Sequence, residues 1–98
     1  MGLVREVVKV LALVKVYPSD VNIDLEELVK KIKEKLPADH EITRYEKEPI
    51  AFGLYALRLY IVLPEESEGG TSRLEDAVKG IEGVEEVEVE AVHRLSQF

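Results

Sequence analysis

The stretch Glu48-Pro49-Ile50-Ala51-Phe52-Gly53-Leu54, with the run Tyr55-Ala56-Leu57-Arg58-Leu59-Tyr60-Ile61-Val62-Leu63 that it opens, decides the fold. Leu57, Leu59, Ile61 and Leu63 share one face of the run, and Tyr60 and Val62 share the other. A strand apolar on both faces belongs in the middle of a sheet. Just ahead of it, Pro49 fixes φ and Gly53 widens the accessible φ/ψ range, so segment 48–54 reads as a bend rather than part of a ladder. Phe52 on that bend is either a lid on the core or a surface anchor.

Working outward, Arg5 to Val16 is a second two-faced apolar strand, with Val8, Val10, Ala12, Val14 and Val16 on one side and Val7, Leu11 and Leu13 among Arg5, Lys9 and Lys15 on the other. Tyr17-Pro18-Ser19-Asp20 ends it. Asp24 then offers a helix N-cap with Glu27 three residues on, and Leu25, Leu28, Val29, Ile32 and Leu36 form one apolar stripe that Pro37 closes. His40 to Glu46 is polar apart from Ile42 and Tyr45, the composition of an edge strand. On the other side of the central strand, Pro64 to Gly70 is a loop. Thr71 or Ser72 caps a second helix with Leu74, Ala77, Val78 and Ile81 inside, and Gly80 and Gly83 stop it. Val87, Val89 and Ala91 alternate with Glu86, Glu88 and Glu90 in a last strand with one buried and one charged face.

The order is βαββαβ, and an internal repeat supports it. Leu25-Glu26-Glu27-Leu28-Val29-Lys30-Lys31-Ile32 returns as Leu74-Glu75-Asp76-Ala77-Val78-Lys79-Gly80-Ile81, half a chain later. Two βαβ halves with right-handed crossovers predict an α+β, ferredoxin-like two-layer sandwich: an antiparallel four-stranded sheet with two helices on one face, in strand order 4-1-3-2. The first and third strands are then central, where the two-faced patterns fall. The helices cover one face only, so Leu11, Leu13, Tyr60 and Val62 lie on the open face, a patch suited to a partner or to self-association. Phe98 is a candidate to fold back onto it.

The 98 residues make one domain, 1–98. The apolar content of 46% with 34% charge is that of a soluble chain. The absence of a long apolar run and of a signal-type N-terminus predicts a cytoplasmic protein with no membrane partner. One Asn (Asn22), one Gln (Gln97) and one Met (Met1) among abundant Glu and Lys point to a thermophilic source. The net charge of −7 is uneven: residues 65–90 hold ten acids against Arg73 and Lys79. Such a surface repels phosphate backbones, which argues against nucleic acid and for a basic protein partner.

No motif for an active site is present. There is no P-loop and no G-x-G-x-x-G, and Glu68-Gly69-Gly70-Thr71 reads as a flexible loop into a helix. His40 and His93 lack metal-ligand spacing, so no metal and no cofactor is expected. What remains is Phe52 on its bend and the tail Ala91-Val92-His93-Arg94-Leu95-Ser96-Gln97-Phe98. Strict alternation places Arg94 on the outward face with Glu86, Glu88 and Glu90, and His93 in phase with the core as a packing residue.

Segment 48–54, the strand up to Leu63, the loop ending Glu68-Gly69-Gly70-Thr71 and the run Val84 to Leu95 together resemble the archaeal elongation factor 1-beta family, most specifically at Pro49-Ile50-Ala51-Phe52-Gly53-Leu54. The resemblance implies the ferredoxin-like sandwich and guanine nucleotide exchange on the GTPase elongation factor 1-alpha, without covalent chemistry. It also implies that the aromatic at Phe52 inserts into the GTPase and that the cation at Arg94 reaches its magnesium and phosphate site. Ala51 and Gly53, and His93 and Leu95, flank the two as partner-binding neighbours. Eukaryotic relatives carry Lys in place of Arg94, and their chains end one residue later, whereas Ser96-Gln97-Phe98 extend this one. The competing expectation is a small-ligand regulatory or dimerisation module of the same fold.

Overall fold

The computed structural model describes residues 8–65 and 70–95. Its elements are β1 (Lys9–Pro18), α1 (Leu25–Lys35), β2 (Glu41–Ala51), β3 (Leu54–Pro64), α2 (Gly70–Lys79) and β4 (Val84–Arg94), the βαββαβ order expected. One antiparallel sheet runs β2-β3-β1-β4, so β1 and β3 are central.

The core forms where the apolar faces meet. Val10, Ala12, Val14 and Val16 of β1 and Leu57, Leu59, Ile61 and Leu63 of β3 are buried beneath Leu25, Leu28, Val29 and Ile32 of α1 and Leu74, Val78 and Ile81 beside α2. Each fully buried Val, Leu or Ile contributes about 1.5–3 kcal/mol. The repeat maps onto this packing, since Leu25, Val29 and Ile32 and their counterparts Leu74, Val78 and Ile81 are all buried. Asp24 caps α1, accepting from the Glu26 and Glu27 amides at 3.0 and 3.3 Å. Acids in the first turn and Lys33 and Lys35 in the last suit the helix dipole. α2 begins at Gly70, so Thr71 and Ser72 lie inside its first turn instead of capping it. Gly83, at φ +101°, turns the chain into β4, and its carbonyl accepts from the Ser19 amide at 2.9 Å.

The edge strands depart from simple alternation. β2 carries an extra residue at Thr43 and at Ile50 relative to β3, and β4 carries one at Glu85 and at Glu90 relative to β1. Each such bulge reverses the facing of the residues beyond it. The Thr43 bulge turns Tyr45 and Lys47 toward the helix side and leaves Arg44, Glu46 and Glu48 on the open face. Bulges, together with Pro49, also blunt the two exposed edges against further pairing.

On the open face an ion-pair ladder crosses all four strands. Lys15 of β1 meets Glu48 of β2 at 2.8 Å, and Arg58 of β3 lies 3.4 Å from Glu48 and 3.2 Å from Glu90 of β4. The Tyr60 hydroxyl donates to Glu46 at 3.0 Å and the Tyr17 hydroxyl to Glu88 at 3.3 Å. The Lys15 ammonium beside Glu48 holds that carboxyl below its ordinary range, with Arg58 adding to the effect. Arg44 does the same for Glu46. Leu11, Leu13, Tyr60 and Val62 lie half-buried on this face, where the pattern placed them.

Candidate functional site

Segment 48–54 is not a free bend. β2 continues through Pro49 and Ile50 to Ala51, and only Phe52 and Gly53 connect it to β3. Both have positive φ, +52° and +76°, the backbone of a tight two-residue hairpin turn whose twist matches the flanking strands. Pro49 is accommodated because β2 is an edge strand with one side unpaired. Strands of ten or eleven residues span about 35 Å. Helices of the same residue count rise only about 16 Å. The β2–β3 hairpin therefore reaches past the N-terminal end of α1, and its tip has no helix to pack against.

Phe52 is accordingly fully exposed, at 101% of its reference area. It is a surface residue and not a core lid. A left-handed conformation costs a residue with a Cβ about 1–2 kcal/mol. An aromatic that is both strained and solvated does nothing for the fold. Gly53 carries the other positive φ and has open space around it. Ala51 is exposed at the end of β2.

Around the tip, Val21, Ile50 and Tyr55 are also exposed. At its base a groove of about 620 Å³ runs between the hairpin and the β1–α1 loop, lined by Pro18, Val21, Ile23, Leu25, Leu54 and Tyr55 together with Asp24, Glu26 and Lys47. Lys47 pairs with Glu26 at 2.8 Å and ties the hairpin to the first turn of α1. The sequence signals for this apolar rim are weak, because isolated apolar residues near turns are common.

The second predicted site lies at the other end of the sheet. Arg94 is the last residue of β4 and stands opposite Val10. The Glu90 bulge changes its facing: Ala91 and His93 stand opposite Leu13 and Leu11 on the open face, while Val92 and Arg94 stand opposite Ala12 and Val10 on the helix side. Both expectations from strict alternation are thus reversed. Arg94 does not share a face with Glu86 and Glu88, and His93 is an exposed open-face residue, not a packing residue under the helices. Leu95 is half-buried, and its amide donates to the Lys9 carbonyl at 2.8 Å. The guanidinium of Arg94 is held by Glu65 through two hydrogen bonds, Nε to Oε2 at 2.9 Å and Nη2 to Oε1 at 2.8 Å. Glu65 was not singled out by the sequence, since it opens an acidic run in which any member could serve. Residues 66–69 of that run, and Ser96-Gln97-Phe98 with the expected fold-back of Phe98, lie outside the described residues.

The two sites are not brought together. The rows that carry them cross β3 at Leu54 and Leu63, nine residues apart, about 30 Å along the strand. Neither end holds a cluster of metal-ligating side chains among the described residues. His40 is buried at the start of β2, with Nδ1 2.7 Å from Asp39. No helix among the described residues is long and apolar enough to cross a membrane.

Comparison with known proteins gives this two-ended rod a family. The EF-1 guanine nucleotide exchange domain matches residues 11–95, which include Phe52, Glu65 and Arg94. An elongation factor 1-beta of Hyperthermus butylicus is 64% identical over 92% of this chain and 98% of its own length. One of Staphylothermus marinus is 64% identical over 90% and 98%, and one of Ignicoccus hospitalis 55% identical over 91% and 95%. These relatives come from thermophilic archaea, in line with the composition. The chain belongs to the EF-1 guanine nucleotide exchange domain family, the nucleotide exchange factors of translation elongation.

Proposed function

We propose that the protein releases GDP from the GTPase elongation factor 1-alpha and allows GTP to reload, in the cytoplasm and without covalent chemistry of its own. Phe52 is the docking anchor and Arg94 the cation that enters the nucleotide site. The observation that carries this reading is Phe52 itself, fully exposed at φ +52°. A residue that opposes folding on two counts is explained by a partner that buries it, and large aromatics dominate interface hot spots.

The mechanism follows from charge and linkage. GDP is held in a GTPase largely by Mg²⁺ and by phosphate contacts. A guanidinium brought to that site disfavours the metal electrostatically and competes for the phosphate oxygens. A factor that binds the nucleotide-free GTPase more tightly than the loaded form must weaken nucleotide by the same ratio. The separation of about 30 Å between anchor and cation means that one rigid sheet touches two separate regions of the GTPase. The hairpin end fixes the rod, and the β4 end acts.

The test is release of a fluorescent GDP analogue from the cognate elongation factor 1-alpha, chased with unlabelled nucleotide, with substoichiometric amounts of this protein. Acceleration with turnover is the expected result. A well-folded sample that leaves the release rate unchanged overturns the reading.

A further inference from the structure

Arg94 is one half of a clasp. The Glu90 bulge turns it to the helix side opposite Val10, and β3 carries the chain past Leu63 to bring Glu65 up on the other side of β1. Backbone bonds fix both partners: the Glu65 amide donates to the Val8 carbonyl at 2.8 Å, and the Leu95 amide to that of Lys9 at 2.8 Å. The side chains then meet across β1 in a fork of two hydrogen bonds, 2.9 and 2.8 Å long. This is the geometry in which a guanidinium takes a carboxylate or a phosphate, and it uses the donors that a phosphate group needs.

We propose that Glu65 is an internal competitor for Arg94, a stand-in for the anion that the guanidinium meets in the partner. It holds the long side chain oriented at the end of the sheet and gives it up on docking. The inference rests on the exchange reading above and adds a competitor to it. A carboxylate on the same two donors opposes the transfer of Arg94 to phosphate, so Glu65 slows the step that Arg94 promotes. The clasp is built to open, because the side chains of Arg94 and Glu65 retain 68% and 38% of their exposure. A solvated pair of this kind changes an equilibrium by only about two- to fivefold.

The experiment compares the wild type, Glu65→Gln, Arg94→Ala and the double variant in the GDP-release assay across a salt series, with circular dichroism to verify folding. Glu65→Gln is expected to raise kcat/KM for exchange about two- to fivefold at low salt. The gain shrinks as salt screens the pair in the wild type, and it is absent when Arg94 is also Ala. If Arg94→Ala leaves exchange unchanged, the reading of Arg94 as the active cation fails, and this proposal with it. If Arg94→Ala slows exchange while Glu65→Gln is neutral or slower, exchange by Arg94 stands and competition by Glu65 is overturned. A gain that persists in the double variant also overturns it, since Glu65 would then act only by repelling the partner.

Discussion

The two ends of the sheet solve opposite problems. At the hairpin tip, Phe52 is held only by its backbone, its side chain fully solvated. At the β4 end, Arg94 is held by its side chain, clasped by Glu65 across β1. An apolar anchor gains most by arriving exposed, because burial in the partner is its whole contribution. A cation in water gains little by being free, so a weak internal partner keeps it in place at small cost. On the function proposed above, the difference separates docking from action.

The most severe way to break this comparison is to remove the cation. Arg94→Ala is expected to slow GDP release on the order of 100-fold, the range seen when one charge-stabilising donor is lost from a reacting site. Affinity for the nucleotide-free GTPase should change much less. Loss of binding with an unchanged maximal rate would show that the β4 end docks and does not act.

Phe52→Ala is expected to weaken the complex by about 2 kcal/mol, the size of an interface hot spot, with the maximal rate retained at saturation. Titration calorimetry against the nucleotide-free GTPase reads the loss. Because the ends lie about 30 Å apart, the losses of the two single variants should add in the double variant to within about 0.5 kcal/mol. Strong coupling would mean that the ends act as one site.

Phe52→Asn sharpens the contrast from the side of stability. Asn tolerates positive φ, so the variant should be more stable by about 1 kcal/mol. For a domain of this size that raises Tm by about 4–8 °C. It should bind the GTPase as poorly as Phe52→Ala. A fall in Tm would make the tip part of the fold after all.

The smallest effect belongs to the ladder between the ends. Glu48 and Glu46 titrate below their ordinary value of 4.5, so the folded state binds fewer protons there than the unfolded chain. The stability this confers is present above pH 4.5 and is lost as the pH falls through the depressed folded values. Glu48→Gln should make the acid limb of the unfolding profile shallower and leave exchange at neutral pH unchanged.

Much of this was legible in residue order. The stripes of α1 and α2, the cap at Asp24 and the two-faced patterns of β1 and β3 all identify their elements locally, and their order permits few topologies. Less of the site was legible. Pro49 and Gly53 marked the turn, but Pro49 also argued against the strand that runs through it to Ala51. Ile42 and Tyr45, the two apolar residues of an otherwise polar strand start, lie three apart. That odd spacing was the available sign of the Thr43 bulge.

The sequence by itself determined the elements, their order and which faces are apolar, because helix and strand periodicities are properties of neighbouring residues. Only the tertiary structure decided where the candidate site residues point. Phe52 is exposed because the helices are shorter than the strands and leave the hairpin tip uncovered. Arg94 meets Glu65 because an extra residue at Glu90 reverses the facing of the last residues of β4. A bulge is a relation between two strands, set by how each pairs with its neighbour, and strict alternation along one strand does not place it.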